Sequence, residues 1–273
     1  IFIIVTLLAG VMGYCIDNIV VGQEKGNSLG IAVWIAAPLL TGIIIRVVNK
    51  DWIGFAIKPR IKHNLLGYLI AFLTFPILTM IAIMLGMICG VTTLGKINVE
   101  AVLSLFMSGF IGAFIKNIFE EFAWRGNLVP FLERTKLGDM GLYACTGLIW
   151  GVWHVPYYMF FLPDSAFVSK ERVMTTIIGV ILVVAMTPLF VELYHITKSV
   201  WPCVILHAVP NVMHNILFIN PDMIHVTDEG DFFFNPVSGV VMIILMFVAG
   251  IGLRAYRVTK ENRVYGEIKS YMD

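Results

Sequence analysis

Three pairs of polar residues, each spaced one helical turn apart, stand in strongly apolar sequence: Glu120-Glu121-x-x-x-Arg125, Trp150-x-x-x-His154 and His207-x-x-x-Asn211. On a helix, residues four apart share a face. Carboxylates, imidazoles and an amide are costly to place inside a membrane and usually serve a function there. Together these types can activate a water through a carboxylate or imidazole base. They can also stabilise a developing oxyanion through imidazole and carboxamide donors. The combination reads as the site of a hydrolase working within a membrane.

Each motif also has a plainer reading. Glu120 and Glu121 are adjacent, so on a helix their side chains diverge by about 100° and cannot share one task. Glu121 and Arg125 stand at i,i+4, the spacing of a helical ion pair. This assigns Glu121 and Arg125 to support and leaves Glu120 as water-activating base or metal ligand; the alternative is a solvated charge cluster at a helix end. His154 is followed by Pro156, which lacks a backbone donor and predicts a kink or opening beside the ring. The alternative is an interfacial histidine in an aromatic belt with Trp150, Trp153, Tyr157 and Tyr158. His207 and Asn211 share one helix face, as oxyanion donors or as a polar pair joining helices. His207 could also ligate a metal with Glu120 and His154. His214 and Asn215 read as packing residues, and Asp17, Lys116, Glu192 and His195 as span-end or bundle-interior groups. No His-Glu-x-x-His zinc motif occurs.

The elements that must position these residues follow from composition. The 273 residues are 59% hydrophobic and 14% charged, with mean hydropathy +0.87, far from the roughly 25% charged content of soluble domains. The expected fold is all-α: a single polytopic membrane bundle over 1–273 with about eight transmembrane helices. Apolar runs place them near 1–21, 29–48, 64–92, 101–125, 141–163, 173–195, 201–219 and 237–257. Cys15, Cys89, Cys145 and Cys203 lack CxxC pairing and read as buried free thiols. A net charge of +1 gives no reason to expect nucleic acid as a partner.

Loop charges set an orientation. Arg46, Lys50, Lys58, Arg60, Lys62, Arg134, Lys136, Lys198, Arg254, Arg257, Lys260, Arg263 and Lys269 fall on one side. Only Lys25, Lys96, Lys170 and Arg172 fall on the other. The basic side is cytoplasmic by the positive-inside rule, so both termini are expected there. This topology lets the three motifs meet in the inner half of the bilayer.

At these residues the chain resembles the CPBP family of intramembrane proteases, which includes the CAAX prenyl endopeptidases and bacteriocin-processing enzymes. The family's signatures appear as Glu120-Glu121-Phe122-Ala123-Trp124-Arg125, Trp150-Gly151-Val152-Trp153-His154 and His207-Ala208-Val209-Pro210-Asn211. Trp150 stands where the family has Phe. The resemblance covers about 115–220, the expected catalytic core. It implies peptide-bond hydrolysis within a helical bundle, with Glu120 and His154 activating water and His207 and Asn211 holding the oxyanion. The implied partners are the lipid bilayer and a peptide or protein substrate, prenylated or not. Zn²⁺ held by Glu120, His154 and His207 with an open fourth position is one form of the chemistry. A metal-free glutamate base is the other, and the expectation is no tightly bound metal. Short loops suit a member from a prokaryotic plasma membrane. From other classes, a non-proteolytic scaffold or immunity protein binding a peptide in the same cavity is the alternative, with a small-solute transporter third.

Overall fold

The structure, a computed structural model, describes residues 1–167, 171–219 and 221–270. The chain runs α1 (Phe2–Ile19), α2 (Leu29–Asn49), α3 (Ile61–Ile88), β1 (Thr92–Leu94) and α4 (Val99–Ala123). A π turn, Trp124–Leu128, leads into α5 (Val129–Glu133). Next come α6 (Asp139–Trp153), a second π turn (Tyr157–Phe161), α7 (Arg172–Thr197), α8 (Trp201–Ile219), β2 (Ile224–Val226), α9 (Asp228–Phe234) and α10 (Val240–Ser270). The only sheet among the described residues is the antiparallel pair β1–β2, with Thr92 opposite Val226 and Leu94 opposite Ile224. The fold is otherwise an all-α bundle.

Six helices among the described residues are long and apolar enough to cross a membrane: Phe2–Ile19, Leu29–Asn49, Ile61–Ile88, Val99–Glu133, Arg172–Thr197 and Val240–Arg263. The other two expected spans, 141–163 and 201–219, correspond to α6 and α8. Neither is among the six, so the count falls short of the eight expected; α6 has 15 residues, short of the roughly 20 that cover the hydrocarbon core, and α8 has 19. The membrane reading is visible on α4. Leu103, Met107, Ile111 and Ile115 recur every fourth residue, and all are exposed, at 59%, 69%, 67% and 53%. Such a stripe suits lipid and not water. On another side of the same helix, Phe106, Phe110 and Phe114 make a ring ladder that ends on Trp201 of α8. Beyond this ladder the C-terminal end of α4 enters the interior, where every residue from Glu120 to Pro130 is buried.

Helix pairing places the motif-bearing elements together: α4 packs on α8, α6 on α7, and α1 on α2. The α6–α7 approach depends on small residues. A Cβ on Gly147 would lie 3.0 Å from the Val184 Cα, and one on Gly151 3.2 Å from the Val180 carbonyl oxygen, so larger residues would hold the backbones apart. The thiols are free as expected, but only Cys203 is buried; Cys15 and Cys89 are exposed and Cys145 is intermediate. His214 and Asn215 are also exposed and not packed between helices.

Candidate active site

The buried end of α4 supplies the carboxylates. Glu120 is 1% exposed, and Glu121 and Arg125 are fully buried. One carboxylate oxygen of Glu120, Oε1, accepts a 2.8 Å bond from Lys116 Nζ one turn earlier. Oε2 faces two imidazoles, with His154 Nε2 at 4.0 Å and His207 Nε2 at 3.9 Å. The indole N–H of Trp150 points at the same oxygen from 3.5 Å, the outer limit of a hydrogen bond. A phenylalanine at this position would offer no donor.

Glu121 faces elsewhere, as the divergence of adjacent helical residues requires. Its Oε1 meets His207 Nδ1 at 2.8 Å and accepts from Arg125 Nη1 at 3.1 Å. The Arg125 guanidinium lies 4.1 Å from the Trp150 ring centroid and 4.3 Å from that of Phe190. Two aromatic faces thus stabilise a charge whose Nε and Nη2 find no hydrogen-bond partner. The π turn that holds Arg125 is itself tied down by Arg46 of α2. That side chain donates to Asn127 Oδ1 at 2.6 Å and to the Gly126 carbonyl at 2.5 Å. Arg46, counted among the loop charges, is therefore a buried brace, 1% exposed.

His154 sits where α6 stops. Pro156 cannot donate to the turn before it, and the chain widens into the Tyr157–Phe161 π turn, a distortion common at functional sites. The Trp153 carbonyl at this break accepts from Trp34 Nε1 at 2.9 Å, and the Trp34 ring stacks on Trp153 at 3.9 Å. From α1, Gly10 lets the backbone approach the break, since a Cβ there would stand 2.4 Å from Pro156. His154 Nδ1 lies 2.9 Å from the Trp150 carbonyl. A carbonyl only accepts, so Nδ1 carries the proton and Nε2 keeps its lone pair towards Glu120.

Asn211, half-buried on α8, donates from Nδ2 to Asn117 Oδ1 at 3.3 Å. Asn117 is fully buried, and its own Nδ2 has no partner. The sequence reading missed two neighbours of the site, Asn117 and Lys116. Both were reachable by the i,i+4 rule, from Glu121 and Glu120 respectively. Glu120 is accordingly not the free carboxylate expected of it. Glu192 and His195 are interior groups as read. Glu192 accepts from Tyr143 and from Arg257 (2.6 Å), and His195 meets Glu133 at 2.7 Å. The sequence reading took the chain to have no Gly-x-Ser-x-Gly pentad, which is incorrect: one occurs at Gly26–Gly30. Its Ser28 caps α2, accepting from Ile31 N and donating to Asp17 at 2.5 Å, which is a structural role.

The donor set departs from zinc geometry. Ligands on a tetrahedral zinc lie about 3.4 Å apart, given bonds of about 2.1 Å. Both imidazole nitrogens stand farther than this from Glu120 Oε2, and Lys116 places a cation on the same carboxylate. No group of three His, Cys, Asp or Glu among the described residues is arranged to hold a metal ion. As placed, these residues do not form a zinc site.

Glu120, Glu121, Arg125, His154, His207 and Asn211 thus converge from α4, its π turn, the end of α6 and α8. Comparison with protein families then bears on what such a cluster is. Residues 101–213 match the family of Rce1-like type II CAAX prenyl endopeptidases. This bears out the CPBP resemblance, and the matched stretch runs from α4 to α8 and contains all six residues. It points to a protease of the CAAX type within the membrane, with a peptide as substrate and lipid as surroundings. The six apolar helices and the family together make the chain an integral membrane protein. No match was found among curated proteins.

Proposed function

We propose that the protein is an intramembrane endopeptidase that hydrolyses peptide bonds with a glutamate-activated water and no metal. The observation that carries this reading is the division of labour on Glu120. Oε1 is held by Lys116, while Oε2 faces two imidazole Nε2 atoms at 4.0 and 3.9 Å. These separations are too long for direct hydrogen bonds, but a water about 2.8 Å from both atoms of either pair spans them at a bent angle of about 90°. Glu120 takes a proton from that water as its oxygen attacks the scissile carbonyl, then returns it to the departing amine nitrogen. His154, its tautomer fixed by the Trp150 carbonyl, accepts from the water and orients it.

His207 and Asn211 then serve the oxyanion. With Nδ1–H on Glu121, His207 donates from Nε2 only as the imidazolium, and the Glu121 carboxylate is its counter-ion. Asn211 and the unpartnered Asn117 amide supply further donors near the same wall. Both termini lie on the cytoplasmic side in this reading, so the substrate meets the site from the inner leaflet.

The test is incubation of the purified protein with prenylated and unprenylated peptides, with and without chelator, read by mass spectrometry. Cleavage that survives chelation and is lost in Glu120→Gln supports the proposal. Cleavage abolished by chelator and restored by Zn²⁺ overturns the metal-free mechanism. Saturable peptide binding without cleavage overturns the enzymatic reading in favour of a peptide-binding scaffold or immunity protein.

A further inference from the structure

A cavity lies away from this cluster, at the end of the bundle where α2 leads into α3 and α7 turns into α8. It measures about 360 Å³ and is walled by Trp52 and Phe55, with Lys58, Arg60 and Lys198 around it. No acidic residue lines it, and among the described residues none of the three cations makes an ion pair. Three like charges around one concavity repel one another unless an anion joins them.

The wall is built to keep its shape. Four carbonyls of the 54–58 segment are bound from α7, from α8 and from the turn between them. Tyr194 Oη donates to Gly54 O at 2.6 Å, Val200 N to Ala56 O at 3.2 Å, Trp201 Nε1 to Ile57 O at 2.6 Å and Ser199 Oγ to Lys58 O at 2.9 Å. These carbonyls are therefore already paired within the protein. Ala56, Arg60 and Lys198 all have left-handed backbones, with φ of 50°, 52° and 50°. That conformation is costly for residues bearing a Cβ and tends to persist at ligand clamps. The pinned carbonyls and the three left-handed corners together give the wall a fixed shape.

We infer that this cavity binds the phosphate of an anionic phospholipid headgroup. Phosphate matches the charge and the Arg–Lys donor set. Lipid is favoured over a soluble phosphate compound by the neighbouring apolar side chains. Trp52, Ile53 and Ile57 are 48%, 79% and 58% exposed, beside the ends of the apolar helices α2, α3 and α7. Tryptophan and aliphatic groups at the ends of membrane helices meet headgroups and acyl chains. The inference is independent of the protease reading, and its test does not use cleavage.

Native mass spectrometry of the full chain should show phosphatidylglycerol retained over phosphatidylcholine. Each of Lys58→Gln, Arg60→Gln and Lys198→Gln should weaken that retention about 5-fold, and the triple variant about 100-fold. Thermal unfolding in lipid-free detergent should be unchanged, and the single variants carry the test if the triple variant does not fold. Equal retention of phosphatidylglycerol by wild type and all variants overturns the inference. Inorganic phosphate that displaces the lipid at equal concentration overturns the lipid assignment in favour of a soluble phosphate ligand.

Discussion

The Glu121–Arg125 pair makes a quantitative test of how the buried cluster holds together. Arg125→Met keeps an unbranched, polarisable side chain between the Trp150 and Phe190 rings but leaves Glu121 with His207 alone. Breaking a buried ion pair from one side costs about 3–5 kcal/mol. Glu121→Gln leaves a guanidinium whose Nε and Nη2 already lack partners, and the same range applies. Independent effects would sum to about 6–10 kcal/mol. The double variant carries neither charge, and the amide oxygen introduced by Glu121→Gln still accepts from His207, so its loss should be only about 1–2 kcal/mol. Equilibrium unfolding in mixed micelles, followed through the buried Trp124, Trp150 and Trp153, measures all three. A double variant that loses the sum of the singles to within about 0.5 kcal/mol refutes the pairing argument.

His154→Ala and His207→Ala should each lower peptide cleavage by at least about 10²-fold with the fold retained, as single base or oxyanion contributions commonly do; wild-type rates in either would remove that residue from the mechanism. Asp51 lies in the 50–60 loop, where the Ile53 amide first and Arg134 second hold its pKa below the ordinary carboxylate value. A depressed carboxylate stabilises above its unfolded value of about 4 and loses that contribution as pH falls through the folded value. The loop signal of ¹⁹F-labelled Trp52 should therefore be constant from about pH 5 to 8 and change below about pH 4, and Asp51→Asn should abolish the change. Cysteines introduced at 222–231 should label from outside the cell and those at 258–263 only from inside; the reverse pattern would invert the assigned orientation.

Much of the site was legible because its order is local. The i,i+4 rule gives the Glu121–Arg125 pair, and Pro156 announces the break beside His154. Lys116 obeys the same rule but was read only as a span-end or bundle-interior group, since a lone lysine in an apolar run does not name its partner. The contacts that shape the site over distance had no local signal. Arg46 reaches Gly126 and Asn127 across about eighty residues of chain, and Trp34 meets the Trp153 carbonyl across 119. Apart from His154 the Trp150–Phe161 stretch is aromatic and apolar, so hydropathy merged a short helix, a break and a π turn into one span. The β1–β2 pair escaped because three-residue strands lie below the length at which alternation can be read.

The order of charges along α4 bears on how this protein can be made. Lys116, Glu120, Glu121 and Arg125 close a helix that must enter the bilayer some eighty residues before α8 is synthesised. Four ionisable groups near a span centre would oppose insertion by about 10–14 kcal/mol at translocon-scale costs. Each anion, however, has its counter-ion one turn away on the same segment, in the pairs Lys116–Glu120 and Glu121–Arg125. The nascent helix therefore brings a neutral, self-compensated end to the membrane. It needs no later helix to cancel its charge, only one to shield it. His207 then arrives with α8 against a Glu121 already paired with Arg125, so α8 can dock late without the α4 carboxylates waiting unpaired in lipid while the ribosome finishes the chain.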